Sequence, residues 1–296
     1  AGMGEAGDLP CRLAIVAESP PALLQKLEQA LARLEKPQTR RIQGVRGIYF
    51  FAEPFAPQGK LAFLFPGEGA QYPHMLADLC LHFPEVRACF DRIDRLFVDH
   101  PRGVRPSDFI FPRPRFGGAS ADAPDSVLDE AGDRLWAIDG AIEAVITANM
   151  ALVALLRRLG IRPDVCVGHS TGEYSALLAA GAVAVGEDEF VGRYLLDLNR
   201  RYTAVGADAQ VPQAVMVAVG AGVGDLAPLL AAGAAAGGEV YIGMDNCPHQ
   251  TVVLGEGAAM DALLAAAQAA GIICDVLPFD RGYHSPLFAP YSRLFQ

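Results

Sequence analysis

Residues 165–180 read VCVGHSTGEYSALLAA: a short apolar run meets G-x-S-x-G, and a helix-forming stretch follows at once. No other feature limits the fold as tightly. The pattern requires a strand that turns sharply into a helix with Ser170 at the corner, the nucleophile elbow of α/β sheets. Gly168 and Gly172 flank the serine so that strand and helix can approach closely. The turn lifts the serine hydroxyl clear of the sheet. The helix from Thr171 to about Ala180 aims its N-terminal amides at that hydroxyl, where they and the helix dipole stabilise an oxyanion.

The rest of the composition agrees with such a chain. Its 296 residues suffice for one large or two modest domains with a real core. With 52% hydrophobic and 20% charged residues it is globular, and a net charge of −10 argues against nucleic-acid or anionic-membrane partners. The cysteines Cys11, Cys80, Cys89, Cys166, Cys247 and Cys274 form no C-x-x-C pair, so buried free thiols in a reducing, cytoplasmic setting are expected. The apolar helix near Ala141 to Leu156 carries Glu143, Thr147 and Asn149 and falls short of a membrane span. The opening AGMGEAG reads as the edge of a piece from a longer polypeptide.

Hydrophobic periodicity orders the elements. Arg12 to Val16 and Gly47 to Ala52 read as strands around a helix opening at Pro21, followed by the turn-rich linker 54–59. Leu61 to Phe65 is a buried strand running into PGEGAQ, with helices expected near Met75–Leu81 and Pro84–Phe97. Residues 100–134 hold five prolines and read as a surface excursion. A helix from Gly140 to Leu159 then leads into the Ser170 strand, so strand, helix and strand give a parallel sheet whose two glycine loops share its ligand-binding end. The third segment runs strand (Ala214–Val219), helix (Gly224–Ala232), strands Val240–Met244 and Gln250–Leu254, helix (Ala258–Ala270), strand (Ile273–Pro278). That order is βαββαβ, a ferredoxin-like unit.

Ser170 needs a base, because an unassisted hydroxyl is a weak nucleophile. His169 is adjacent, yet neighbours along a strand point to opposite faces. His74, His82, His100 and His249 lie in polar or turn contexts. His284 follows the last strand in a Gly-x-His-Ser-Pro turn, where the inserted subdomain can fold it back over the sheet.

FLFPGEGAQY, GHSTGEYSALLAAGAV, NCPHQTVVLGE and GYHSP, in this order and spacing, resemble the acyltransferase domains of type I polyketide and fatty acid synthases and the malonyl-CoA:acyl carrier protein transacylases. The GEGAQY form is most similar to iterative enediyne or polyunsaturated-lipid synthases. The resemblance covers about residues 60–296. It implies an α/β fold: a parallel-sheet, α/β hydrolase-like large subdomain (60–205), an inserted ferredoxin-like subdomain (206–279), and a return segment (280–296) that lacks the part closing the large subdomain. Residues 1–59 resemble the linker from an upstream ketosynthase.

The resemblance also implies a ping-pong reaction. Ser170 takes an acyl group from CoA with His284 as general base, then yields it to the phosphopantetheine thiol of an acyl carrier protein; no cofactor is tightly bound. Backbone N–H groups of Glu68 and Thr171 would hold the oxyanion. The Glu68 carboxylate is expected to point away or be paired, and Asp280 is not assigned to the dyad, with Arg281 its plausible partner. Malonyl-type members hold the substrate carboxylate through an arginine on the helix two turns past the elbow helix. Here Asn199 aligns at that position, with Arg200 one step later and Arg201 beyond, and one step turns a side chain by about 100°. Malonyl is the favoured acyl group, held by Arg200 or else by Arg281; the alternative is a loading enzyme for a non-carboxylated group. Tyr283 and Asn246 complete the expected substrate contacts. A serine esterase or thioesterase would use the same serine and histidine, although the HGGG-type loop of that class is not evident. A non-catalytic docking module would not need the intact set.

Overall fold

The computed structural model describes residues 11–53, 59–111, 135–136, 138–183, 194–201, 213–278 and 281–293. The chain divides at Leu61/Ala62 into two units. The opening residues, the 54–58 stretch of the linker, Asp280 and most of the proline-rich 100–134 stretch lie outside the described residues.

The first unit is a three-stranded antiparallel sheet with one helix. Strands β1 (Arg12–Ile15), β2 (Arg41–Val45) and β3 (Ile48–Phe51) lie in the order β1-β3-β2. The helix Pro20–Leu34 starts on Ser19, whose Oγ accepts from Ala22 N at 3.3 Å. Ala30, Ile42 and Ile48 form the core. Strand β2 escapes the periodicity reading because RIQGV does not alternate and contains a glycine. Its turn supplies the missing signal: Arg46 and Gly47 have φ of 53° and 76°, the left-handed pair of a two-residue hairpin.

In the second unit β4 (Ala62–Phe65) and β5 (Val165–Gly168) pair in parallel, Phe65 opposite Gly168. Both therefore end at the same edge. The core helix Ile138–Arg158 connects them, and Phe65, Val153, Ala176 and Ala179 pack together beneath the elbow. The described front of the 100–134 stretch is not a surface excursion. Pro106–Ile110 forms a short helix that buries Phe109 and Ile110 beside Phe90 and Leu135. Its apolar Phe109-Ile110 pair outweighs the prolines as a structural signal.

The inserted subdomain is a four-stranded antiparallel sheet, β6 (Val215–Val219), β7 (Val240–Cys247), β8 (Gln250–Gly255) and β9 (Cys274–Val276), in the order β7-β8-β6-β9. With helices Ala227–Ala235 and Gly257–Ala269 this is the ferredoxin-like βαββαβ arrangement. The period of two divides the strands cleanly. Val217, Val219 and Val253 pack on the helices with Leu229, Met260 and Leu263. Met216, Val252 and Leu254 face the other way, toward Met244, Leu277 and Tyr283. That second face closes over the elbow.

Candidate active site

The elbow is built by close approach. A Cβ added at Gly168 would lie 2.4 Å from Glu173 Cα, and one at Gly172 would lie 2.1 Å from the Phe65 carbonyl oxygen. Both positions therefore exclude any side chain. The backbone closes with His169 N–H donating to Phe65 O (3.0 Å) and Glu173 N–H to Ser170 O (2.9 Å). Ser170 is left at φ 52°, a strained non-glycine conformation that sharp elbows impose.

Ser170 Oγ lies 3.0 Å from His284 Nε2, across 114 residues of sequence. The structure thus brings together the two groups that the sequence singled out. His284 also has positive φ, 60°. Its loop is held by Ser285, whose Oγ donates to Gly282 O (2.7 Å) and accepts from Leu287 N (3.2 Å). Burial lowers the His284 pKa below its ordinary value; His169 lowers it further and Glu173 opposes both. The imidazole is therefore neutral near pH 7, the state that accepts a proton.

His169 takes a different part. Its Nε2 donates to Asn246 Oδ1 at 2.9 Å, and Asn246 Nδ2 donates to Gln250 Oε1 at 3.1 Å. The elbow is thereby tied to the β7–β8 hairpin. His74, His82, His100 and His249 lie off the cavity lining.

The Glu68 N–H donates to Thr171 Oγ1 at 2.8 Å, which fastens the PGEGAQ loop to the elbow, and within the loop the Gly69 N–H donates to Gln71 Oε1 at 2.8 Å. The Glu68 carboxylate faces the Tyr283 hydroxyl. Burial pushes that phenol well above its ordinary pKa, Glu68 pushes it further, and Arg281 opposes. Asn149 was legible only as a polar residue in an apolar helix. It is buried, and its Nδ2 donates to Pro66 O and Ser175 Oγ, both at 3.1 Å, bracing the glycine loop against the elbow helix Gly172–Ala180.

A cavity of about 860 Å³ opens on Ser170 and His284. Tyr283 and Asn246 line it, as do Glu68 and Thr171; Asn199, Arg200 and Arg281 do not. Asn199 is buried with its Nδ2 donating to Glu143 Oε1 at 2.9 Å. Glu143 is held in turn by Arg102 through two bonds of 3.2 and 2.6 Å. Arg200 is exposed, and Arg201 bonds Asp197 at 2.8 Å. No cluster of three potential metal ligands occurs among the described residues. The six cysteines are free, but Cys11 and Cys247 are exposed and the other four only half-buried, contrary to the buried thiols expected.

Comparison with known proteins bears on the same residues. The family model "Acyl transferase domain" matches residues 62–292. Polyketide synthase GfsA of Streptomyces halstedii is 32% identical over 231 residues, 78% of this chain and 3% of the relative. The crystal structure of the acyltransferase domain from the second module of the salinomycin polyketide synthase is 27% identical with a TM-score of 0.69, covering 97% of this chain and 58% of that one. The acyl-carrier-protein S-malonyltransferase of Burkholderia pseudomallei 1710b is 27% identical with a TM-score of 0.61, covering 80% of this chain and 68% of that one. The chain spans a small part of the curated relative and somewhat over half of the first solved structure.

Proposed function

The chain belongs to the acyl transferase domain family, and from that premise we propose that it moves an acyl group from CoA to an acyl carrier protein through an ester on Ser170. Ser170 Oγ attacks the thioester carbonyl carbon while His284 Nε2 takes the hydroxyl proton. The tetrahedral oxyanion rests on the N–H groups of Thr171 and Glu68. Its collapse breaks the C–S bond, and the departing CoA thiolate takes the proton from the imidazolium. In the second half-reaction the carrier's phosphopantetheine thiol gives its proton to His284 and attacks the ester carbonyl. The C–O bond breaks and Ser170 Oγ recovers the proton. No cofactor is needed beyond these two thiols. The N-terminal unit, in this reading, joins an upstream ketosynthase.

The observation that carries the proposal is the 3.0 Å approach of a strained serine to an imidazole whose pKa is lowered by desolvation. Intact-mass measurement after exposure to an acyl-CoA should show one acyl group on Ser170 that a carrier protein removes. Ser170→Ala should abolish it, with a rate loss of about four to six orders of magnitude. A mass shift that survives on the alanine protein would place the nucleophile elsewhere, and discharge to water faster than to carrier would identify a hydrolase. Which acyl group is accepted turns on the cavity wall, because a malonyl carboxylate needs a cation there.

A further inference from the structure

The cavity beside Ser170 has an apolar wall, flanked by the polar Asn246 and Gln250. Met216, Ala218 and Val252 come from the inward face of the four-stranded sheet, and Met244, Leu277 and Ile142 extend it. The acidic or basic residues that reach the lining, among those described, are Glu68, Glu173 and the two histidines. The carboxylates repel an anion, and His284 is held neutral by burial.

Among the described residues, Arg102, Arg200 and Arg281 all lie off the cavity lining. Arg102 is stacked 4.2 Å from the Phe97 ring centre and bonded twice to Glu143, which also accepts from Asn199. The side chain in the helix position aligned with a carboxylate clamp is thus a buried amide, turned to an internal acid. Arg200, the next candidate, is exposed and off the lining. Arg281 acts on the Tyr283 hydroxyl, opposite in effect to Glu68, and is likewise off the lining.

We infer, on the acyl-serine reading above, that the site transfers an uncharged aliphatic acyl group in preference to malonyl. An alkyl chain gains from contact with the methionine, valine and leucine surface. A terminal carboxylate would lose its hydration against that surface and meet two like charges instead of a bidentate partner.

Competition for Ser170 tests this. The protein is mixed with equal acetyl-, hexanoyl- and malonyl-CoA, and the mass on Ser170 is followed in time. The uncharged adducts should form at least about tenfold faster than malonyl-Ser170. Met244→Arg, which places a cation on a half-buried part of the wall, should shift the malonyl-to-acetyl ratio upward by about tenfold or more. Malonyl loading equal to or faster than acetyl in the native protein would overturn the inference while leaving the acyl-serine reading intact. Selective loss of malonyl loading in Arg281→Ala or Arg200→Ala would overturn it too, by exposing a clamp. Absence of any adduct on Ser170 would instead defeat the acyl-serine reading, and the inference with it.

Discussion

In the proposed reaction Ser170 and His284 share one proton, so its pH dependence belongs to the imidazole. The working form is neutral, and burial with His169 sets its pKa below the ordinary 6.5. Because the base is lost on protonation, kcat/KM should be flat near pH 7 and fall only below pH 6.5. Glu173→Gln removes the carboxylate that favours the imidazolium, so its acid limb should move lower still. A native limb above pH 6.5 would contradict the assignment. Thr171 poses a second test, because its Oγ1 occupies the Glu68 N–H that the proposed oxyanion needs. A neutral hydrogen bond is worth about 1 kcal/mol net, against about 3–4 for an oxyanion donor, so the oxyanion wins the N–H. Thr171→Val should leave kcat unchanged or raise it by up to about fivefold, at about 1 kcal/mol of stability. A hundredfold loss in single-turnover acylation would show that the hydroxyl itself is required. The approach of Ser170 and His284 was readable because their motifs encode backbone shapes, a φ of 52° and a φ of 60°. The fate of Asn199 and Arg200 was not, since the choice between them depends on helix phase and on Arg102 and Glu143, far away in sequence.

Among elements, the elbow helix is set by exclusion of side chains more than by helix propensity. Replacing Gly172 with alanine should gain up to about 1 kcal/mol of propensity in a helix. The new Cβ would meet a backbone oxygen at 2.1 Å, which has no rotamer to relieve it. Overpacking of this kind costs about 1–3 kcal/mol, so the net sign is destabilising. Gly172→Ala should lower the urea midpoint and, by displacing Ser170 by a fraction of an ångström, reduce kcat by up to about 100-fold with little change in KM. An alanine protein as stable and active as the native one would show that strand and helix can part freely. The inserted sheet was legible nearly strand by strand, because alternation holds through VMVAV and QTVVLG. The N-terminal β2 and the buried Pro106–Ile110 helix were not. In both, tertiary pairing or packing overrides a polar or proline-rich local signal.

Across the second unit as a whole, the network beneath the cavity joins three distant stretches: the loop of Arg102, the core helix of Glu143 and the helical residues 194–201 with Asn199. The side chains of Arg102 and Glu143 are only 11% and 3% exposed, so each charge depends on the other. Breaking a buried pair by removing one partner strands the other charge and costs about 3–5 kcal/mol. Replacing both partners by apolar groups of similar size is often neutral. Glu143→Leu alone should therefore lower stability by about 3–5 kcal/mol, while Arg102→Met with Glu143→Leu should recover much of that loss. Chemical denaturation of the two single variants and the double variant measures the coupling directly. Additive losses would mean that the pair contributes no mutual stabilisation. Coupling with retained Ser170 acylation in the double variant would instead show that the network holds the helix in place and is not required for acyl transfer.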